Sequence, residues 1–247
     1  MELLPGFLLF IAGVAIGVIN VMAGGGSALS LPLLIFLGFD AAVANGTNRV
    51  AILMEAMAAV ASFKKNKHSH FSQSIKFALP TIPGAVLGAI YATRIDDELF
   101  KNILAVVMIL IVFSLMLPKS HKSAAEKFSR GRKVLVYPAM FAIGFYGGFV
   151  QAGVGFLLMA ALLHLFGETL VRVNMHKVFI VMIFTVPALA IFILTDNVNW
   201  PAAMVLSAGA ILGGWWAAHM SVHKGDNFIR IMMGVAMVLM AIKLLFD

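Results

Sequence analysis

Polar residues cluster inside apolar stretches of this 247-residue chain, and their types suit the binding of an anion. Gly24-Gly25-Gly26-Ser27 interrupts an apolar run where a short helix would begin. Breaking a helix in lipid frees backbone N–H and C=O groups, which survive only when buried in protein or lining a wet cavity. A helix starting there points its positive end and unpaired N–H groups at whatever fills the gap. Gly24, Gly25 and Gly26 can form a nest of N–H donors, with the Ser27 hydroxyl beside them, and Pro32 loosens the short helix that follows. The same glycines would equally allow two helices to pack closely.

A second cluster is Asn45-Gly46-Thr47-Asn48-Arg49. Counted from Ala41, Arg49 lies roughly 12 Å into its helix at helical rise. Lys177 lies equally far in from Thr169. A cation at that depth is costly and marks a functional candidate, although its long stem also permits snorkelling to the headgroups. Thr47, Asn48 and His176 add neutral hydrogen-bonding groups. Glu55 is the one acidic residue well inside a long apolar segment, six residues after Arg49 and so on a largely different helix face. It could carry a coupling proton, because burial favours the neutral carboxyl, or serve as a structural partner.

The remaining candidates read as structure. His164 is a packing residue; His68, His70 and His121 belong to basic loops. No spacing of His, Asp and Glu matches a metal site, and no cofactor is expected. Asp96-Asp97-Glu98 reads as a turn that caps the next helix. Trp215 and Trp216 fit either an interfacial belt or a cavity wall.

The elements that position these groups are membrane helices. The chain is 62% hydrophobic and 12% charged, with mean hydropathy +0.99. Apolar blocks of membrane-spanning length recur from end to end without the alternation of a β-barrel. The net charge of +7 resides in short loops, which indicates topology and lipid headgroups rather than nucleic acid. No cysteine is present, so disulfides and thiol chemistry are excluded. Met1-Glu2-Leu3-Leu4-Pro5 lacks a basic region ahead of its apolar segment, so residues 5–23 are expected to stay as a helix rather than be cleaved.

Apolar segments fall at 5–23, 27–38, 41–63, 75–93, 98–117, 134–152, 155–166, 170–195, 201–219 and 226–246. Segments 27–38 and 155–166 are too short to span alone. Shifting the sequence by 128 positions aligns Gly25 with Gly153, Asp40 with Glu168, Asn48 with His176 and Arg49 with Lys177. Gly84-Ala-Val-Leu-Gly88 likewise resembles Gly209-Ala-Ile-Leu-Gly213. The expectation is an all-α polytopic membrane protein with two repeats, 1–117 and 134–247, joined by a basic cytoplasmic linker, 118–133. Each repeat has four long helices and one short broken segment.

Loops 64–76 and 118–133 are rich in Lys and Arg, which puts both in the cytoplasm. If the short segments help the chain across, each repeat crosses five times, the repeats are inverted, and both termini are external. If they are re-entrant, the repeats are parallel and Lys224 falls outside. Inversion fits the cation distribution better.

With these residues laid out, the chain resembles the sulfite exporter TauE/SafE family over essentially its whole length. The likeness rests on Gly24-Gly25-Gly26-Ser27, Pro32, Gly38 and Gly46-Thr47-Asn48, with a looser second copy in Gly153-Val154-Gly155 and Asn174-Met175-His176-Lys177. The second copy has Val154 where the first has Gly26, so the two half-sites are expected to be unequal. The resemblance implies a secondary transporter that moves sulfite, sulfonates or similar small anions, often outward across the inner membrane. The expected binding set is Gly25, Gly26, Ser27, Thr47, Asn48, Arg49, Gly153, Gly155, His176 and Lys177, with Glu55 as the proton candidate and H+ or Na+ as coupling ion. No nucleotide-binding loop is present, so ATP is not the energy source within this chain. Two other readings are a passive anion channel and an intramembrane hydrolase using Ser27 with His176. The hydrolase lacks a glycine elbow after the serine and an acid to orient the imidazole.

Overall fold

A computed structural model describes residues 3–67, 71–116, 130–166 and 169–246. Those residues are helical nearly throughout, with no strand among them. The helices are α1 (Leu3–Ala23), α2 (Ser27–Phe36), α3 (Ala41–Lys65), α4 (Phe71–Ala78), α5 (Thr81–Ala92), α6 (Asp97–Met116), α7 (Arg130–Phe149), α8 (Val154–Phe166), α9 (Leu170–Leu194) and α10 (Trp200–Phe246). Stretches within α1, α9 and α10 are long and apolar enough to cross a membrane by themselves. α3 matches α9 in length, but its polar run from Asn45 to Arg49 lowers its hydropathy.

Both short apolar segments are separate helices, set off by the expected breaks. Gly24 leaves α1 in the left-handed region (φ 85°), where its N–H closes the helix on the carbonyl of Asn20 at 2.8 Å. The second break has two such residues, Gln151 (φ 65°) and Gly153 (φ 70°). A non-glycine residue held there costs about 1–3 kcal/mol, so the surrounding packing must enforce the turn.

Several expectations need correction. Segment 75–93 is two helices, α4 and α5, bent by 49°. Pro80 sits at the bend, where it cannot extend the preceding helix. Segments 201–219 and 226–246 have no extended loop between them; the backbone is helical through 220–224 and departs only at Gly225 (φ 70°, ψ −165°). α7 already begins at Arg130, inside the expected linker, while residues 117–129 of that linker lie outside the described residues. The side chain of His164 and residues His68, His70 and His121 also lie outside them.

Glycine pairs set the main helix crossings. Gly13 and Gly17 of α1 press on the backbone of α10 at Leu206 to Gly214, and Gly209 and Gly213 press back on Phe10 and Val14. Gly84 and Gly88 of α5 meet the backbone of α7 at Phe141 to Phe149 in the same manner. A Cβ at any of these positions would collide with a backbone atom of the partner helix, which is why small residues occupy them. In both crossings rising numbers meet rising numbers, so the partners run in the same direction. α3 and α9 run oppositely: Gly46 faces Asn197 and Phe192, Arg49 lies on Phe192, and Val50 packs with Leu189.

Acidic residues fix the starts of the polar helices. Asp97 accepts the Ala41 N–H at the start of α3, and Asp226 accepts the Leu170 and Val171 N–H groups at the start of α9, at 3.1 and 3.2 Å. Each supplies negative charge to a positive helix end. The expected cap on α6 is Asp96, which accepts from the Leu99 N–H at 2.8 Å. Trp215 lies at the Lys-bearing end of α3, where the Lys65 ammonium sits 5.6 Å from its ring centre.

Candidate functional site

The two breaks meet. The Gly155 N–H donates to the Gly24 carbonyl at 3.1 Å, and a Cβ on either glycine would strike the backbone of the other. At the first turn of α2, Ala28 donates to Gly25, and Leu29 and Ser30 donate to Gly26. Among the described residues, the Gly25, Gly26 and Ser27 N–H groups donate to no carbonyl. Gly26 precedes α2 with no side-chain cap, and Ser27 is buried. The result is a buried positive helix end with unpaired donors.

Asn48 reaches this turn through Ser30. The Ser30 hydroxyl donates to Asn48 Oδ1 at 2.5 Å and approaches the Gly26 carbonyl at 3.4 Å. Asn48 Nδ2 is buried with no hydrogen-bond partner among the described residues. Unpaired buried polar atoms are rare and each requires a reason. Here they recur around the breaks, at Asn45 Oδ1, Arg49 Nε, Gln151 Oε1 and Glu55 Oε2 as well.

Arg49 and Lys177 are both deep in protein, at 0% and 2% exposure, so neither snorkels. Arg49 donates from Nη1 to the Gly147 carbonyl at 3.0 Å and from Nη2 to that of Gly148 at 2.5 Å, with its guanidinium 4.7 Å from the Phe192 ring centre. Asn45 Nδ2 caps the next carbonyl, Phe149, at 2.7 Å. Together they satisfy the end of α7, whose last carbonyls would otherwise be buried unpaired. Lys177 performs the same task for α1, donating to the carbonyls of Asn20 at 3.0 Å and Val21 at 2.6 Å. Each cation therefore offsets the partial negative charge at the C-terminal end of a broken helix.

The other expected residues point elsewhere. The Thr47 hydroxyl accepts from the Asn199 N–H at the start of α10, at 2.9 Å. His176 Nδ1 pairs with the Ser74 hydroxyl of α4 at 2.6 Å, not with Ser27. Glu55 faces α1 and α10: its Oε1 accepts from Asn20 Nδ2 at 2.9 Å, and its Cγ crowds Gly214. It does lie on a different face from Arg49. Asn20, Ser30, Gln151 and Ser74 were not singled out from the sequence. Asn20 and Gln151 could have been found, since each is an isolated polar residue just ahead of a glycine break. Ser30 and Ser74 are too ordinary in type to stand out.

Apolar spans, paired helix breaks and a buried polar centre between them define a multi-pass helical membrane protein built like a solute carrier. The profile of the family described as sulfite exporter TauE/SafE matches residues 9–244, and the chain belongs to that family. It is similar to YfcA of Escherichia coli K12, described as a probable membrane transporter protein, with 29% identity over 99% of this chain and 91% of the relative. A probable membrane transporter protein of Sinorhizobium, ORF9, is 28% identical over 97% of this chain and 92% of its own length. One of Haemophilus influenzae is 27% identical over 97% and 94%. No solved structure matches. The chain is a membrane transporter, not an enzyme.

Proposed function

We propose that this chain is a secondary transporter of a small sulfur-containing anion such as sulfite or a sulfonate, working as an exporter in the cell's inner membrane. The observation that carries this reading is the open N-terminal turn of α2: unpaired N–H groups at Gly25, Gly26 and Ser27, beside the unpaired Nδ2 of Asn48. These groups only donate, which suits an oxyanion's acceptor oxygens. Arg49 and Lys177 supply positive charge from behind the two breaks, and Gly153 and Gly155 bring the second break against the first. Thr47 and His176 hold the flanking helices α10 and α4 to this centre. The substrate class follows from membership of the sulfite exporter TauE/SafE family.

In this reading 1–117 and 134–247 are inverted repeats of five segments, and alternating access rocks one against the other about the meeting breaks. The opposite courses of α3 and α9 support inversion, because parallel repeats would run their matching helices the same way. The matched roles of Asp97 and Asp226, and of Arg49 and Lys177, support duplication.

The test is melting of the purified protein against sulfite, thiosulfate, sulfoacetate, taurine and simple carboxylates. A ligand that binds the folded state raises its melting temperature. Sulfite or a sulfonate should do so, with the shift lost in Asn48→Asp. A shift from carboxylates alone would remove the substrate class, and a shift unaffected by Asn48→Asp would remove the site.

A further inference from the structure

Three groups meet at the end of α1. Asn20 donates its side-chain N–H to Glu55 Oε1 at 2.9 Å, and its own backbone carbonyl accepts from Lys177 at 3.0 Å. Glu55 Oε2 is buried without a partner among the described residues, and Glu55 itself is 2% exposed. α1 contains no charged residue, and α10 has none from Trp200 to Trp216, the stretch facing Glu55. Lys177 of α9 meets the same Asn20 from its carbonyl side, and Arg49 of Glu55's own helix is turned to α7. Yet no salt bridge joins Lys177 to Glu55, since the ammonium is spent on two carbonyls.

We infer that Glu55 is the proton-binding site of transport and that it acts on the first break through Asn20 and Lys177. This rests on the transport reading above. A proton added to the bare Oε2 converts the carboxylate to a neutral acid, still held by Asn20, and leaves Lys177 on the carbonyls of Asn20 and Val21. Loss of that proton leaves a carboxylate beside an ammonium in a water-poor interior, where their attraction is strong. The carboxylate then competes with the carbonyls for Lys177, uncapping α1 a few residues before the open turn of α2. Proton release and loosening of the break become one event.

Na+ fits the same place poorly. A hard cation needs several oxygen ligands. The carbonyls of Asn20 and Val21 are held by the ammonium, and that of Gly24 by Gly155. The second half has no counterpart, because the positions matching Asn20 and Glu55 are Gly148 and Ile183. Arg49 is there a permanent cap, since a guanidinium does not release its proton.

The experiment compares wild type with Glu55→Gln, which keeps an acceptor for Asn20. Both are reconstituted in liposomes holding a pH-sensitive dye, and methanesulfonate, which remains ionised and carries no proton itself, is added. Wild type should move protons with the anion; Glu55→Gln should move none while still exchanging labelled methanesulfonate at a comparable rate. Proton movement persisting in Glu55→Gln, or a Na+ gradient alone driving wild-type uptake, overturns the inference. Absence of exchange in wild type counts instead against methanesulfonate transport. A second measurement needs no substrate: infrared titration should give a carboxylic-acid C=O band in wild type that Glu55→Gln lacks. An undiminished band in the variant overturns the assignment outright.

Discussion

Arg49 and Lys177 each close the interrupted helix of the opposite half: Arg49 holds the end of α7 at Gly147 and Gly148, and Lys177 holds the end of α1 at Asn20 and Val21. The exchange ties residues about a hundred or more positions apart and places both cations where a helix end is negative. Neither cation can be removed without exposing buried carbonyls.

Arg49→Ala is therefore expected to lower stability as well as transport. Each carbonyl left unpaired costs roughly 1–3 kcal/mol. Arg49→Lys should recover part of this, since an ammonium lacks the planar fork that spans two carbonyls and lies on Phe192. Thermal unfolding in detergent checks the order: wild type, then Lys, then Ala. An Arg49→Ala melting point equal to wild type would show that the capping bonds contribute nothing.

Gly155→Ala and Gly38→Ala separate crowding from backbone freedom. A methyl on Gly155 would run into Gly24 and part the two breaks, so transport should be lost. Gly38 (φ 91°) has open space around it, and alanine there should cost only the left-handed conformation, about 1–2 kcal/mol, with transport kept. Anion uptake beside melting temperature distinguishes them.

Asp226→Ala should remove the two carboxylate oxygens that accept the Leu170 and Val171 N–H groups at the start of α9, at a cost of about 1 kcal/mol. Hydrogen exchange should quicken at Leu170 and Val171. Unchanged protection there would mean the cap is idle.

Gly209→Leu should separate α1 from α10, because its side chain would enter the backbone at Phe10 and Val14. Overpacking of this kind costs about 1–3 kcal/mol or more. Gly84→Leu should act alike on α5 and α7, and a double variant should be near additive, the two crossings being separate contacts. Denaturation of the single and double variants tests this.

Asn48→Ala should weaken anion binding at a modest cost in stability, about 0.5–1.5 kcal/mol for the hydrogen bond that Oδ1 accepts from Ser30, since Nδ2 has no protein partner to forfeit. The concentration for half-maximal uptake should rise while the melting temperature falls only slightly. A matched fall in both would make Asn48 a structural residue.

Much of this was legible along the chain. Gly24–Gly26 and Gly153 announce breaks because only local backbone freedom is at stake, and a twenty-residue apolar run declares a span by itself. The similar glycine pairs at 84 and 88 and at 209 and 213 signalled the duplication, while their place at close helix crossings came only from the structure. The bend at Pro80 was missed because hydropathy is blind to direction, and the helical passage to Gly225 because polar residues there resembled a loop.

What each buried polar group touches was decided only in three dimensions. Residue types marked Arg49, Lys177, Asn48 and Glu55 as costly to bury, but their partners are carbonyls and amides, which carry no side-chain signature. Composition determines that such groups must be satisfied; which helix end lies within reach depends on how distant segments cross. That crossing brings Lys177 to α1 and Arg49 to α7, and it leaves the turn at Gly25–Ser27 open.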